Sequence, residues 1–221
     1  AQIIGILIVQ QYIDPAASSD AQEAIFKELP FDLERPPIEQ STSYLYIIAA
    51  ILVGTLLVLL LIKFNKTKLW KLWYALAVII CLTIALTAFM PAVVAITISI
   101  VAAIYKIKKK NPIIHNLTEL FIYGGLAAIF VPVINVSAAI LLLLAISVYD
   151  YIAVNKVKHM VTMAKFQTKA NVFAGLMVGS KLPKTKKGLK KTAQQKTAIL
   201  GGGDIGFTLL FSGVIFKGLA I

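Results

Sequence analysis

The chain has 221 residues, 59% of them hydrophobic and only 14% charged, with a formal net charge of +12; its mean hydropathy is +0.85. Soluble domains carry charge on about a quarter of their residues, so this balance excludes a soluble globular protein and asks for an integral membrane one. The single cysteine, Cys81, excludes an intrachain disulfide and reads as a small core hydrophobe.

Apolar runs near the length that crosses a bilayer, about 17 to 25 residues, follow one another along the chain. Residues 3–13 read as the tail of a truncated first span, because the chain opens on Ala1 and is apolar from Ile3. No basic leader or small-residue cleavage pattern makes this run a secretory signal. The second span is expected at 44–62 and the third at 72–90. The fourth, 92–105, is short, but Pro91 turns sharply into it and Lys106 can snorkel at its end. The fifth is expected at 117–133, the sixth at 136–154 and the seventh at 198–216. The expected fold class is therefore all-α: a polytopic transmembrane helix bundle of about seven helices. Three parts follow: a membrane bundle over 1–154, a lysine-rich loop over 155–197, and the seventh span with the chain end over 198–221.

Loop charges test this count. The first connection holds Asp14, Asp20, Glu23, Glu28, Asp32, Glu34 and Glu39 against Lys27 and Arg35. Lysines crowd the connections after the second span (Lys63, Lys66, Lys68, Lys71) and the fourth (Lys106, Lys108, Lys109, Lys110), and 155–197 holds eleven lysines and no acid. The turns at Met90 and Pro91 and at Ile134 and Asn135 are uncharged. By the positive-inside rule this alternation puts the N-terminus and the lysine-rich loops in the cytoplasm. The same lysines account for the net charge. They flank spans and lack interleaved aromatics, so they read as topology signal, compatible with contact to anionic headgroups, rather than as a nucleic-acid surface. The portion KLPKTKKGLKK is expected to be mobile.

Beyond Glu39 only Glu119, Asp150 and Asp204 remain as acids. Asn116 followed three residues later by Glu119 reads as a capping box at the start of the fifth span. Asp150 lies ~6 Å inside the cytoplasmic end of the sixth span, and Asp204 ~9 Å inside the same face of the oppositely running seventh. An acid at a helix centre costs about 2.5–3.5 kcal/mol on insertion scales, so it faces a bundle interior or a wet cavity and takes a partner. No basic residue falls within the second to sixth spans, and Lys217 lies at the far end of the seventh. The natural partner of each Asp is then the other: two close carboxyls share one proton, one serving as base and one as acid. Gly201, Gly202 and Gly203 weaken the first turns of the seventh span and let backbone approach an occupant of the site; three glycines also suit close helix packing.

Tyr149-Asp150 in the sixth span and Gly201-x-Gly203-Asp204 in the seventh resemble the YD and GxGD motifs of the presenilin and signal peptide peptidase family of intramembrane aspartyl proteases. The stretch VYDYIAVNKVKHMVTMAK is similar to the archaeal presenilin homologues in particular. The resemblance implies nine helices in the complete protein, catalytic Asp150 and Asp204 facing each other across the sixth and seventh helices, and Tyr149 lining the site. It further implies that Gly201, Gly202 and Gly203 shape the substrate approach, with Gly202 at the variable position of the motif. No cofactor and no metal are implied. The implied partners are the transmembrane segments of substrate proteins within the lipid bilayer, with self-association open and no nucleic acid. The cytoplasmic N-terminus resembles presenilin rather than signal peptide peptidase, whose helices run the opposite way. A Pro-Ala-Leu motif that the family carries near its ninth helix has no counterpart here, and it is expected beyond Ile221.

Two other readings stay open at this level. Prepilin peptidases also pair a GxGD aspartate with a second one, but there the first Asp lies close to a cytoplasmic loop, whereas Asp150 follows Tyr149 within an unbroken apolar run. A cation or proton transporter could use the same two carboxylates; it calls for an inverted repeat of broken helices, and the glycine-rich break occurs in the seventh span alone.

Overall fold

The computed structural model describes residues 1–21, 23–108, 111–155, 162–163, 165–167, 170, 172–179 and 197–219. Helix α1 spans Gln2–Tyr12 and α2 Pro15–Ala21; after a single 3-10 turn at Pro30–Asp32 come α3 (Ser43–Lys63), α4 (Thr67–Thr87), α5 (Ala92–Lys108), α6 (Pro112–Phe130) and α7 (Val136–Asn155). Strands β1 (Gly175–Gly179) and β2 (Thr197–Gly201) precede the helix Gly202–Leu219, here α8. Among the described residues five helices are long and apolar enough to cross a membrane: α3, α4, α6, α7 and α8. These are the five full spans expected from the sequence, and the all-α bundle stands. The short fourth span is α5, whose 17 residues reach ~26 Å at 1.5 Å per residue.

Local chemistry sets the helix ends. Asn65, at a φ of 55°, stops α3: its N–H returns to the Ile62 carbonyl and that of Lys66 to Leu61, closing the orphan carbonyls as a left-handed residue after a helix does. Asn135 Oδ1 accepts from the Ala138 N–H at 2.8 Å and so caps α7. Asn111 Oδ1 accepts from the Ile113 N–H at 3.0 Å, and Pro112 takes the first helical position of α6, where its missing N–H costs nothing.

Helix α6 is the axle of the bundle, packing against α1, α4, α8 and β1. Its Gly124 faces the Ile8 side chain and its Gly125 the Cys81 backbone, with no room for a Cβ at either; small residues of this kind let neighbouring backbones close in where lipid supplies no hydrophobic drive. Cys81 is buried and free, a core hydrophobe as expected. By contrast α3 buries only Ser43, Ile47 and Val58 and forms the rim, meeting α7 and α4.

Three expectations are corrected. Asn116 and Glu119 do not form a capping box: α6 starts at Pro112 on the Asn111 cap, and both residues lie inside the helix. Counting from the first apolar residue overlooked the stronger start signal of Asn followed by Pro. Lys106 does not snorkel. It is 7% exposed with Nζ 2.6 Å from Glu119 Oε1, because a carboxylate across the helix pair captures the ammonium before solvent does. The seventh span begins at Gly202 instead of residue 198, since residues 197–201 are a strand. The stretch 181–191, expected to be mobile, lies outside the described residues.

Candidate active site

Asp150 stands on α7, five residues before its last residue Asn155, and is half-buried. Asp204 is the third residue of α8, in its first turn, and is exposed. The carboxylate there benefits from the positive end of the helix dipole. Helices α7 and α8 pack together, and each carries one of the two acids. Among the described residues neither has an ion-pair partner. Two acids 54 positions apart in the chain thus stand on neighbouring helices, neither with an ion-pair partner among the described residues.

The neighbours are polar in a restrained way. Tyr149 Oη and Thr55 Oγ1 on α3 share a hydrogen bond of 2.9 Å, which ties the rim helix to α7 beside Asp150. Thr208 Oγ1 donates back to the Asp204 carbonyl at 2.7 Å and accepts from Gln2 Nε2 at 2.8 Å, tying α1 to the first turns of α8. Gly201 ends β2, where an added Cβ would stand 3.4 Å from Asp204 Oδ2. Gly203 is open, with Phe207 the nearest group to such a Cβ at 3.7 Å. Gly202 is the confined one: its Cβ would meet Tyr123 Oη at 2.6 Å and the Ala174 carbonyl at 3.1 Å.

The sequence reading missed the element that delivers Asp204. β1 and β2 form an antiparallel pair, Gly175 opposite Gly201 and Gly179 opposite Thr197, and β2 passes into α8 with no intervening loop. Gly175 holds a φ of +152° against the Leu200 carbonyl, a backbone state that side chains disfavour. The signal was present: AGLMVG and TAILGGG are short apolar runs punctuated by glycine, the mark of strands at turns.

A buried polar cluster stands behind this hairpin. Glu119, 1% exposed, accepts from Lys106 Nζ at 2.6 Å and from Tyr74 Oη at 3.0 Å, and Lys106 also donates to Thr118 Oγ1 at 3.0 Å. Tyr74 Oη reaches the Phe173 carbonyl at 3.3 Å, just ahead of β1. Three helices and the start of the hairpin thus share one charged centre, and each of these buried polar atoms is answered, as a low-dielectric interior demands.

A family model described as signal-peptide peptidase, presenilin aspartyl protease matches residues 21–216, a stretch that contains both aspartates, the hairpin and the polar cluster. No curated protein and no solved structure matches the chain. The match spans most of the sequence, and the chain belongs to the signal-peptide peptidase and presenilin family of aspartyl proteases.

Proposed function

We propose that Asp150 and Asp204 are the catalytic pair of a GxGD-type intramembrane protease that hydrolyses peptide bonds within transmembrane segments of substrate proteins. The ionised carboxylate takes a proton from water, whose oxygen adds to the scissile carbonyl carbon, while the protonated one gives its proton to the carbonyl oxygen. Collapse of the diol breaks the C–N bond: the protonated carboxyl gives its proton to the leaving nitrogen while the ionised one takes a proton from a diol hydroxyl, and the pair returns to its single shared proton. Tyr149 lines the site, and Gly201, Gly202 and Gly203 keep its wall low on the α8 side. Scission needs an extended backbone, and a strand edge is the structure that receives one; the β1–β2 pair leads straight to Asp204.

The observation that carries this reading is that each of two packed helices, α7 and α8, carries one acid without a described ion-pair partner, in a chain of an aspartyl protease family. The alternating loop charges support a cytoplasmic N-terminus, and with it substrates whose own N-termini lie outside. The affinity within the family is with the archaeal presenilin homologues, on the stretch that begins at Val148. The organisation is a bundle through residue 154, a cytoplasmic connection over 155–197 and a last part over 198–221 in which the end of β2 leads into the span α8, with the strand pair bridging the second boundary. A second copy of the chain is a further partner this reading admits.

The test is cleavage of a transmembrane-peptide reporter in liposomes by the intact protein beside Asp150→Ala and Asp204→Ala. Activity abolished by each change upholds the pair. No cleavage, with ion or proton flux that depends on the same two residues, replaces it with a transporter.

A further inference from the structure

In an antiparallel ladder, hydrogen-bonded and non-hydrogen-bonded residue pairs alternate. Asn116 on α6 occupies both backbone groups of Met177: Nδ2 donates to its carbonyl at 2.8 Å, and Oδ1 accepts from its N–H at 2.8 Å. Met177 therefore turns its polar groups away from β2, and so does Gly175, whose carbonyl meets His115 Nε2 at 2.8 Å. The rungs toward β2 fall at Leu176 with Leu200 and at Val178 with Ala198. The same alternation continues to Gly202, whose N–H donates to the Ala174 carbonyl at 3.2 Å. That last rung lies two residues before Asp204.

A carboxamide that offers one donor and one acceptor to a single residue imitates a neighbouring strand. Asn116 and His115 thus close the outer edge of β1, which would otherwise be free to slip or to pair elsewhere. The turn of α6 that bears them is held by Glu119 through Lys106 and Tyr74. A slip of one residue moves a strand by ~3.3 Å and turns its other face to the bundle. Asp204, joined to β2 without a loop, would follow.

We infer that Asn116, assisted by His115, is a positioning residue: it fixes the register of β1 and, through the rung at Gly202, sets where Asp204 stands against Asp150. This rests on the protease reading above. Nothing in the family match assigns a role to either side chain.

The experiment compares the full-length protein with Asn116→Leu, which keeps the bulk and removes both bonds, and with Asn116→Gln, which can restore them. Amide hydrogen exchange is read over 175–179 and 197–202, and reporter cleavage is read as kcat, KM and the identity of the bond cut. In Asn116→Leu, hairpin protection is expected to fall at least about tenfold, the loss of two hydrogen bonds, while α4 and α6 keep theirs. The turnover number falls about 10- to 100-fold, as for a catalytic group moved by about 1 Å, with KM within about twofold and cuts spread to adjacent bonds. Asn116→Gln recovers part of both. Unchanged protection overturns the inference, and so does lost protection with wild-type kcat and cut site. If Asn116→Leu unfolds throughout, Asn116→Asp decides instead, since it keeps the acceptor for Met177 N–H and loses the donor. Wild-type protein without Asp150-dependent cleavage sinks the protease reading, and the exchange data then uphold or overturn the register role by themselves.

Discussion

The bundle keeps its carboxylates in two opposite ways. Glu119 is sealed among α4, α5 and α6 and answered by an ammonium and a phenol, whereas Asp150 and Asp204 stand half-buried and exposed with no ion-pair partner among the described residues. Only Glu119 is fully withdrawn from its surroundings. In the first, an ion pair and hydrogen bonds offset the desolvation and nothing is left to react. In the second, no described ion pair holds the charge, and on the proposed protease reading the proton is free to move. On the proposed reading, the partner rather than the depth separates an acid that builds the fold from one that acts.

Exchanging the acids for their neutral amides tests this contrast most severely. Asp150→Asn and Asp204→Asn should each lower cleavage by about 10³-fold or more, and the double change should lose little beyond either single, because residues that act as a unit are not additive. Asp150→Asn should not lower the thermal midpoint in detergent, since it removes a charge that no ion pair compensates, and Asp204→Asn should lower it by no more than the dipole contribution at a helix start, about 0.3–1 kcal/mol. Glu119→Leu should do the reverse. It strands Lys106 in the interior and should destabilise by about 3–5 kcal/mol, read as a falling midpoint; adding Lys106→Met should recover most of that loss. A Glu119→Leu protein as stable as wild type would erase the distinction between the two sites.

How much of this was legible follows from what each signal depends on. The five full spans were readable because length and hydropathy are local properties, and α3 and α7 fall within one residue of the expected runs. The two aspartates were readable because charge in an apolar run is conspicuous. The starts of α4, α6 and α8 were not. Ala198 to Gly201 is as apolar as the helix it precedes, so hydropathy cannot divide strand from span; the glycines hint at the division, and the pairing with Gly175 to Val178 establishes it. Nor could Lys106 be assigned to Glu119. The two lie 13 residues apart on different helices, and their meeting depends on how α5 and α6 turn toward each other.

A smaller effect sharpens the contrast at the strand-to-helix junction. At Gly202 a methyl group would stand 2.6 Å from Tyr123 Oη, so Gly202→Ala should cost about 1–3 kcal/mol through overpacking and slow cleavage with it. Tyr123→Phe deletes the colliding oxygen. In that background the same alanine should cost at least about 1 kcal/mol less, a coupling of the size found between touching residues, measured by a double-mutant cycle on stability and on kcat. Independent effects would mean that Tyr123 does not shape this position.

The smallest effect belongs at the other end of α8. Lys217 Nζ donates to the Ile134 carbonyl at 2.8 Å, to Val131 at 3.3 Å and to Pro132 at 3.4 Å, and so covers the carbonyls of the turn that follows the C-terminus of α6. A cation at that position is worth about 1 kcal/mol. Lys217→Met should therefore lower stability by about that amount, with Lys217→Arg close to wild type, in thermal denaturation of the purified protein. Cleavage should keep its rate and its cut site, because Lys217 stands 13 residues along the helix from Asp204, ~20 Å at helical rise. A shifted cut site in Lys217→Met would mean that α8 moves as a rigid lever, and that the far anchor sets the register as much as the hairpin does.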